Sequence, residues 1–181
     1  MLEIEVKYPL PDRAAVVAQL LAWGATADAP RTDEDHYFNA PDRDFKATDE
    51  AFRLRRIGAK NCFTYKGPKR DAATKTRTEI ELPFADGEAA LETASRMLVC
   101  LGYRPVAVVR KVRQVYHFAR GGFDLEACLD DVGSVGHFVE LEIVADESRY
   151  EAAKAVVLAA AAELGLTKQE RRSYLELTLS Q

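Results

Sequence analysis

The chain has 181 residues, 48% hydrophobic and 30% charged, with 25 basic against 29 acidic side chains and a formal charge of -4. This length holds one domain with a sizeable core over residues 1–181, the composition excludes a disordered chain, and the acidic balance removes any global drive toward nucleic acid. Cys62, Cys100 and Cys128 are odd in number and far apart, matching neither a disulfide framework nor a zinc spacing, so each reads as a small buried residue in a reducing compartment.

The chain opens on a strand in which Glu3, Glu5 and Lys7 share one face and Leu2, Ile4 and Val6 the other. This charged start is not a signal peptide, and the longest apolar stretch, residues 155–162, is Ala-rich and too short to span a bilayer; the expected location is the cytoplasm, with no membrane partner. Pro9 and Pro11 break the strand, and Asp12 offers an N-cap for a helix over 13–23, ended by Gly24. A short aromatic strand over 35–39 precedes three closely spaced strands over 51–57, 61–66 and 76–83, the last two separated by a basic loop from Gly67 to Asp71. Leu91, Ala94, Leu98 and Leu101 mark a helix over 87–101, closed by Gly102. Strands over 106–118 and 123–130 form a hairpin about Gly121-Gly122. A strand over 137–144, a helix over 147–164 and a short strand over 174–179 complete the chain. Turns and short loops join most strands, which predicts a largely antiparallel sheet.

The charge period of the first strand returns at Arg53/Arg55, Arg77/Glu79/Glu81, Lys111/Arg113 and Glu140/Glu142. A solvated edge explains any one such strand. Jointly, however, seven acids (Glu3, Glu5, Glu79, Glu81, Asp130, Glu140, Glu142) face seven bases (Lys7, Arg53, Arg55, Lys66, Arg77, Lys111, Arg113). A closed barrel with a polar interior accounts for the pattern: apolar faces turn outward beneath amphipathic helices, and charged faces line a channel. Burying these charges is costly unless each is paired or bound to a counterion. A triphosphate with a divalent cation satisfies both signs, carboxylates holding the hard metal and Arg and Lys the phosphate oxygens.

The motifs Glu3-x-Glu5-x-Lys7, Asp35-x-Tyr37-Phe38, Phe52-Arg53-Leu54-Arg55, Thr64-Tyr65-Lys66, Arg77-x-Glu79-x-Glu81, Lys111-x-Arg113, Asp130 with Gly136-x-Phe138-Val139-Glu140-x-Glu142, and Arg172-Ser173-Tyr174 together resemble the CYTH domain, or triphosphate tunnel metalloenzyme, family. The resemblance covers nearly the whole chain and is nearest the class IV adenylyl cyclase-like branch. It implies an α+β fold, a closed antiparallel eight-stranded β-barrel forming a tunnel with helices outside. It implies Glu3, Glu5, Glu140 and Glu142 as metal-facing acids for Mg2+ or Mn2+, with Glu79 and Glu81 contributing from the facing wall. Arg53, Arg55, Lys66, Arg77, Lys111 and Arg113 become the phosphate clamp, and Lys7, Asp130 and Lys111 the catalytic groups. The implied activity is conversion of ATP to cyclic AMP and pyrophosphate. The alternatives are hydrolysis of inorganic triphosphate, thiamine triphosphate or a nucleoside triphosphate, and a non-catalytic polyphosphate or nucleotide-binding module. The expected partner is a small-molecule triphosphate, and a homodimer is an allowed assembly. One departure is that the His-Phe pair that some bacterial cyclases carry before the first acids has no counterpart here.

Several residues keep two readings. Glu140 and Glu142 either face metal or pair with Lys111 and Arg113; residues 66–70 with Lys75 either cover the tunnel mouth and recruit substrate or are solvated. Arg56 points to the opposite face. His36, His117 and His137 share no ligand spacing and read as surface or packing residues. Tyr37, Phe38 and Phe52 read as packing residues, while Tyr174 reaches the tunnel as the C-terminal segment closes over it.

Overall fold

The computed structural model describes residues 2–70 and 74–181. Asp71, the last residue expected in the basic loop, lies outside them. The strands are β1 (Leu2–Pro9), β2 (Thr26–Ala27), β3 (Arg31–Asn39), β4 (Ala51–Ile57), β5 (Lys60–Lys66), β6 (Glu79–Phe84), β7 (Arg104–Arg120), β8 (Phe123–Asp131) and β9 (His137–Ala145). They form an antiparallel sheet in the order β1-β9-β8-β7-β3-β4-β5-β6, with β2 added against β7. The helices are α1 (Arg13–Ala22), α2 (Glu88–Cys100), α3 (Tyr150–Glu163) and α4 (Tyr174–Leu179). None of those described is long and apolar enough to cross a membrane.

The outward faces are the apolar ones. Ile4 and Val6 are fully buried in a cluster with Leu125, Leu141, Ile143, Leu20 of α1 and Val157 of α3. On the other flank Phe38 and Leu54 pack beneath Leu91, Ala94 and Leu98 of α2, with Phe52 and Phe63 beside them. With helices over one face and a charged interior on the other, Lys7 is as buried as its neighbour Val6, both at 0% exposure.

Of the three cysteines expected to be buried, Cys128 is, while Cys62 on β5 is half-buried and Cys100 at the end of α2 is exposed. Two further expectations are corrected. The sheet curls into an open half-barrel, because its end strands β1 and β6 form no ladder with each other. The stretch before β6 reaches across, where Glu3 pairs with Arg77 and the Lys75 N–H donates to the Glu5 carbonyl at 2.9 Å, while the Glu170 N–H donates to the Lys7 carbonyl on the same edge at 2.7 Å. Closure needs a stagger that continues from strand to strand. Here the chain between β5 and β6 bonds to itself, Gly67 N–H to Thr78 O at 2.9 Å and Arg70 N–H to Thr76 O at 2.8 Å, and not along the free edge of β1.

The second correction is the C-terminal segment, which is the helix α4 and not a strand. Ser173 accepts from the Glu176 N–H while the Glu176 side chain accepts from the Ser173 N–H, a reciprocal cap that nucleates a helix. Tyr174 and Leu177, three apart on one face, then dock on Tyr37, Val109, Val132 and Phe138 and close one end of the bore with apolar and aromatic groups.

Candidate active site

The interior is a cavity of about 430 Å³. Register decides what faces what. On β1, β9 and β8, Lys7 lies opposite Glu140, and Glu5 lies opposite Glu142, which in turn lies opposite Glu126. On the facing side Asp33 lies opposite Lys111, Asp35 opposite Arg55 and Tyr37 opposite Arg53, while Lys66 pairs with Glu79 and Thr64 with Glu81. The result is an acid wall from β1, β9 and β8 and a basic wall from β7, β3, β4 and β5, with β6 adding Glu79 and Glu81 at the open seam.

Buried acids hold the basic wall in shape. Arg55 donates to both Asp35 oxygens, Nε to Oδ1 at 2.7 Å and Nη2 to Oδ2 at 2.9 Å, and Arg53 Nη1 stands 3.3 Å from Oδ2. Arg53 also donates to the Tyr37 hydroxyl at 3.2 Å. Burial alone would raise the Asp35 pKa, but Arg53 and Arg55 outweigh it and keep the carboxyl ionised well below the usual range. Arg113 grips Asp130 with Nε and Nη2 at 2.7 and 2.6 Å and also reaches Glu140. The Tyr174 hydroxyl donates to Asp130 at 2.8 Å. Lys111 Nζ is held more loosely, 3.5 Å from Asp130 and 3.9 Å from Asp33; burial and the adjacent Arg113 pull its pKa down.

The acid wall is electrostatically unbalanced. Burial, then Glu5 and Glu126, pushes Glu142 up to about 7. Burial likewise raises Glu3, helped by Glu142 and Glu79 against the opposing Lys66, while Glu79 is held at about 2 because Lys66, 2.5 Å away, overcomes its own burial. Lys7 is drawn down to about 7 by burial and by the like charge of Lys75; its Nζ donates to the Arg172 carbonyl at 2.5 Å and sits 3.9 Å over the Tyr174 ring. Glu140 stays ionised: burial opposes this, but Arg113, Lys111, Lys75 and Lys7 together prevail.

A family model described as the CYTH domain matches residues 1–174. The chain belongs to the CYTH domain family. A Methanocaldococcus jannaschii protein named "Putative adenylate cyclase" is 37% identical to it over 180 residues, 98% of each chain. A solved structure from Pyrococcus horikoshii is similar with a TM-score of 0.84 at 33% identity, covering 98% of both chains. A Hippeastrum protein named "Putative adenylyl cyclase" and described as having a dominant triphosphatase activity has a TM-score of 0.65 at 16% identity, covering 99% of this chain and 95% of that one; at this identity the likeness is one of fold.

In this CYTH domain Glu3, Glu5, Glu79, Glu81, Glu140 and Glu142 all line the cavity, as do Arg53, Arg55, Lys66, Arg77, Lys111, Arg113 and Lys7. Asp130 does not; completely buried, it stands behind Arg113 and Lys111 and positions them. Of the two readings of Glu140 and Glu142, the first residue takes the pairing with Arg113, and the second is left opposite other carboxylates. Arg56 points outward to Glu34 and Glu88, as expected. Tyr37 belongs to the apolar end but also lines the bore, and Tyr174 does reach it. The sequence reading passed over Glu126, Asp33 and Arg31. Glu126 was open to detection, since it lies four residues before Asp130 on the same strand face.

Among the described residues no three carboxylate, imidazole or thiol groups converge to cage a metal on their own. The donor set still fits a hard divalent cation: carboxylate oxygens at Glu5 and Glu142 face one another, with Glu3 on the same strand face. Like charges directly opposite are destabilising until a cation lies between them. Magnesium commonly takes only one or two carboxylates and completes its shell with water and substrate phosphates, which suits a wall of paired acids facing a wall of arginines.

Proposed function

We propose that this protein is a metal-dependent enzyme, a single domain acting on a triphosphate, and that its reaction is cyclisation of ATP to cyclic AMP and pyrophosphate. The observation that carries the reading is the separation of sign across one cavity: Arg53, Arg55, Lys111 and Arg113 on one side, Glu3, Glu5 and Glu142 on the other. A nucleic-acid groove has no use for the acid wall, and a plain anion binder has none for carboxylates that repel one another.

In this reading Mg2+ or Mn2+, held by Glu3, Glu5 and Glu142, supplies neutralisation of phosphoryl charge. Arg53, Arg55, Lys66, Arg77 and Arg113 bind the phosphate oxygens, and Asp35 and Asp130 keep the guanidinium forks aimed. Lys7, with its pKa near 7, takes the proton of the attacking hydroxyl at Nζ. The 3′-oxygen then bonds to the α-phosphorus, the bond from that phosphorus to the bridging oxygen breaks, and pyrophosphate leaves with its charge met by Lys111 and Arg113.

Hydrolysis is the second reading, supported by the activity described for the Hippeastrum protein of the same fold. It uses the same clamp, with water in place of the hydroxyl. Incubating the purified protein with ATP or tripolyphosphate plus Mg2+ or Mn2+ separates them: cyclic AMP with pyrophosphate supports cyclisation, orthophosphate supports hydrolysis, and the absence of both products overturns the enzyme reading.

A further inference from the structure

Lys75 belongs to no strand and carries no part in the clamp described above, yet its side chain is only 5% exposed. Its own peptide N–H is fastened to the Glu5 carbonyl at 2.9 Å, across the seam of the half-barrel. From there the side chain enters the bore, with Nζ 2.9 Å from Glu5 Oε1 and 3.8 Å from Glu140 Oε1. The flanking Thr74 and Thr76 are fully buried, their hydroxyl oxygens 2.7 Å apart, which fixes the backbone from which Lys75 projects.

An ammonium bonded to Glu5 Oε1 occupies an oxygen that a divalent cation needs. Two cations on one carboxylate repel each other, so loading the metal at Glu5 favours release of this lysine. Its four-carbon stem with rotatable donors lets the ammonium move while the backbone stays bonded to β1; Glu140, 3.8 Å away, already carries Arg113, so a triphosphate oxygen in the bore is the anion still unmatched. We propose that Lys75 is the resident counter-cation of the acid wall: it neutralises Glu5 and Glu140 in the unloaded protein and transfers its ammonium to the triphosphate when a divalent cation takes its place. This rests on the reading of the bore as a metal and triphosphate site. It gives the loop ahead of β6 a function, coupling metal entry to anion capture, so that each favours the other.

The test is calorimetric binding of Mn2+ alone and of tripolyphosphate alone to the wild-type protein and to Lys75→Met, with no turnover required. The variant is expected to bind Mn2+ more tightly and tripolyphosphate more weakly, each by about tenfold, the scale of one charge-assisted contact. Lys75→Arg, which restores the charge, is expected to return both affinities toward wild type. A structural role would instead weaken both ligands, and an exposed lysine would change neither; either result overturns the proposal while leaving the bore reading standing. If the wild-type protein binds neither ligand, the bore reading fails and this inference with it. Lys75→Gln, measured in parallel, gives the same opposed shifts and serves if the methionine variant does not fold.

Discussion

Glu142 shows how a single residue carries tension between stability and function. It faces Glu5 on one side and the half-exposed Glu126 on the other, and its own burial leaves little water to screen it. Glu142→Gln should therefore stabilise the metal-free protein at pH 8, by about 1–2 kcal/mol in denaturant unfolding, while losing metal-dependent turnover. Folded Glu142 keeps its proton up to about 7, whereas an ordinary carboxyl releases it near 4.5, so the folded state holds more protons between those values and stability falls as pH rises through them. Lys7 acts in the next window: folded, it releases its proton near 7, against 10.5 for an ordinary lysine, so the unfolded state holds more protons and stability climbs above neutrality. Unfolding measured without divalent ions from about pH 5 to about pH 9 should pass through a minimum near neutrality, and Mn2+ should flatten its acidic side. A profile rising steadily across that range would refute the assignment. At this scale Glu5 and Glu142 were legible as a two-residue charge period. Lys75 was not resolved between mouth and solvent, because a loop residue has no periodicity to show which way it points.

Among the elements, α4 and the β7–β8 hairpin hold the bore from its end and its back. Ser173→Ala removes a cap side chain, and a loss of about 1 kcal/mol is expected in thermal unfolding, together with a change in the Tyr174 environment, since that ring lies over Lys7 and its hydroxyl binds Asp130. At the hairpin, Gly121 has φ +59°, and an added Cβ would come 2.7 Å from Val156 Cγ2 of α3. Gly121→Ala should cost at least about 1 kcal/mol by strain and by lifting α3 from the sheet, read as a lowered unfolding midpoint. Most elements were legible: the strand over 51–57 coincides with β4, and the helix over 87–101 contains α2. The C-terminal segment was misread because alternation among Tyr174, Glu176 and Thr178 mimics a strand, while the Ser-x-x-Glu cap that decides for helix lies at its first turn.

Across the molecule, the two walls are held apart by different means: the basic wall by buried acids behind it, the acid wall by cations brought across the bore and the seam. Arg55→Ala breaks a bidentate buried pair and leaves Asp35 with Arg53 alone, so a loss of about 3–5 kcal/mol is expected, with weaker triphosphate binding. Tripolyphosphate with Mg2+ should raise the wild-type unfolding midpoint in a concentration-dependent way, by the equivalent of about 2.7 kcal/mol at a hundred times the dissociation constant, and should raise that of the variant less. An equal rise in both proteins would remove Arg55 from the clamp.

The amino-acid order alone determined that charged faces recur every second residue in strands whose other faces suit a helical cover, and so that a polar interior was to be expected. That much is local, since alternation is a property of each extended segment. Only the tertiary structure decided that Glu5 meets Glu142 while Lys111 meets Asp33, that Asp130 stands behind the wall, and that the seam stays open with Lys75 across it. Those facts depend on register and curvature, which are set by how strands distant in sequence pair and by how far the sheet can curl before the backbone of the last loop has bonded to itself.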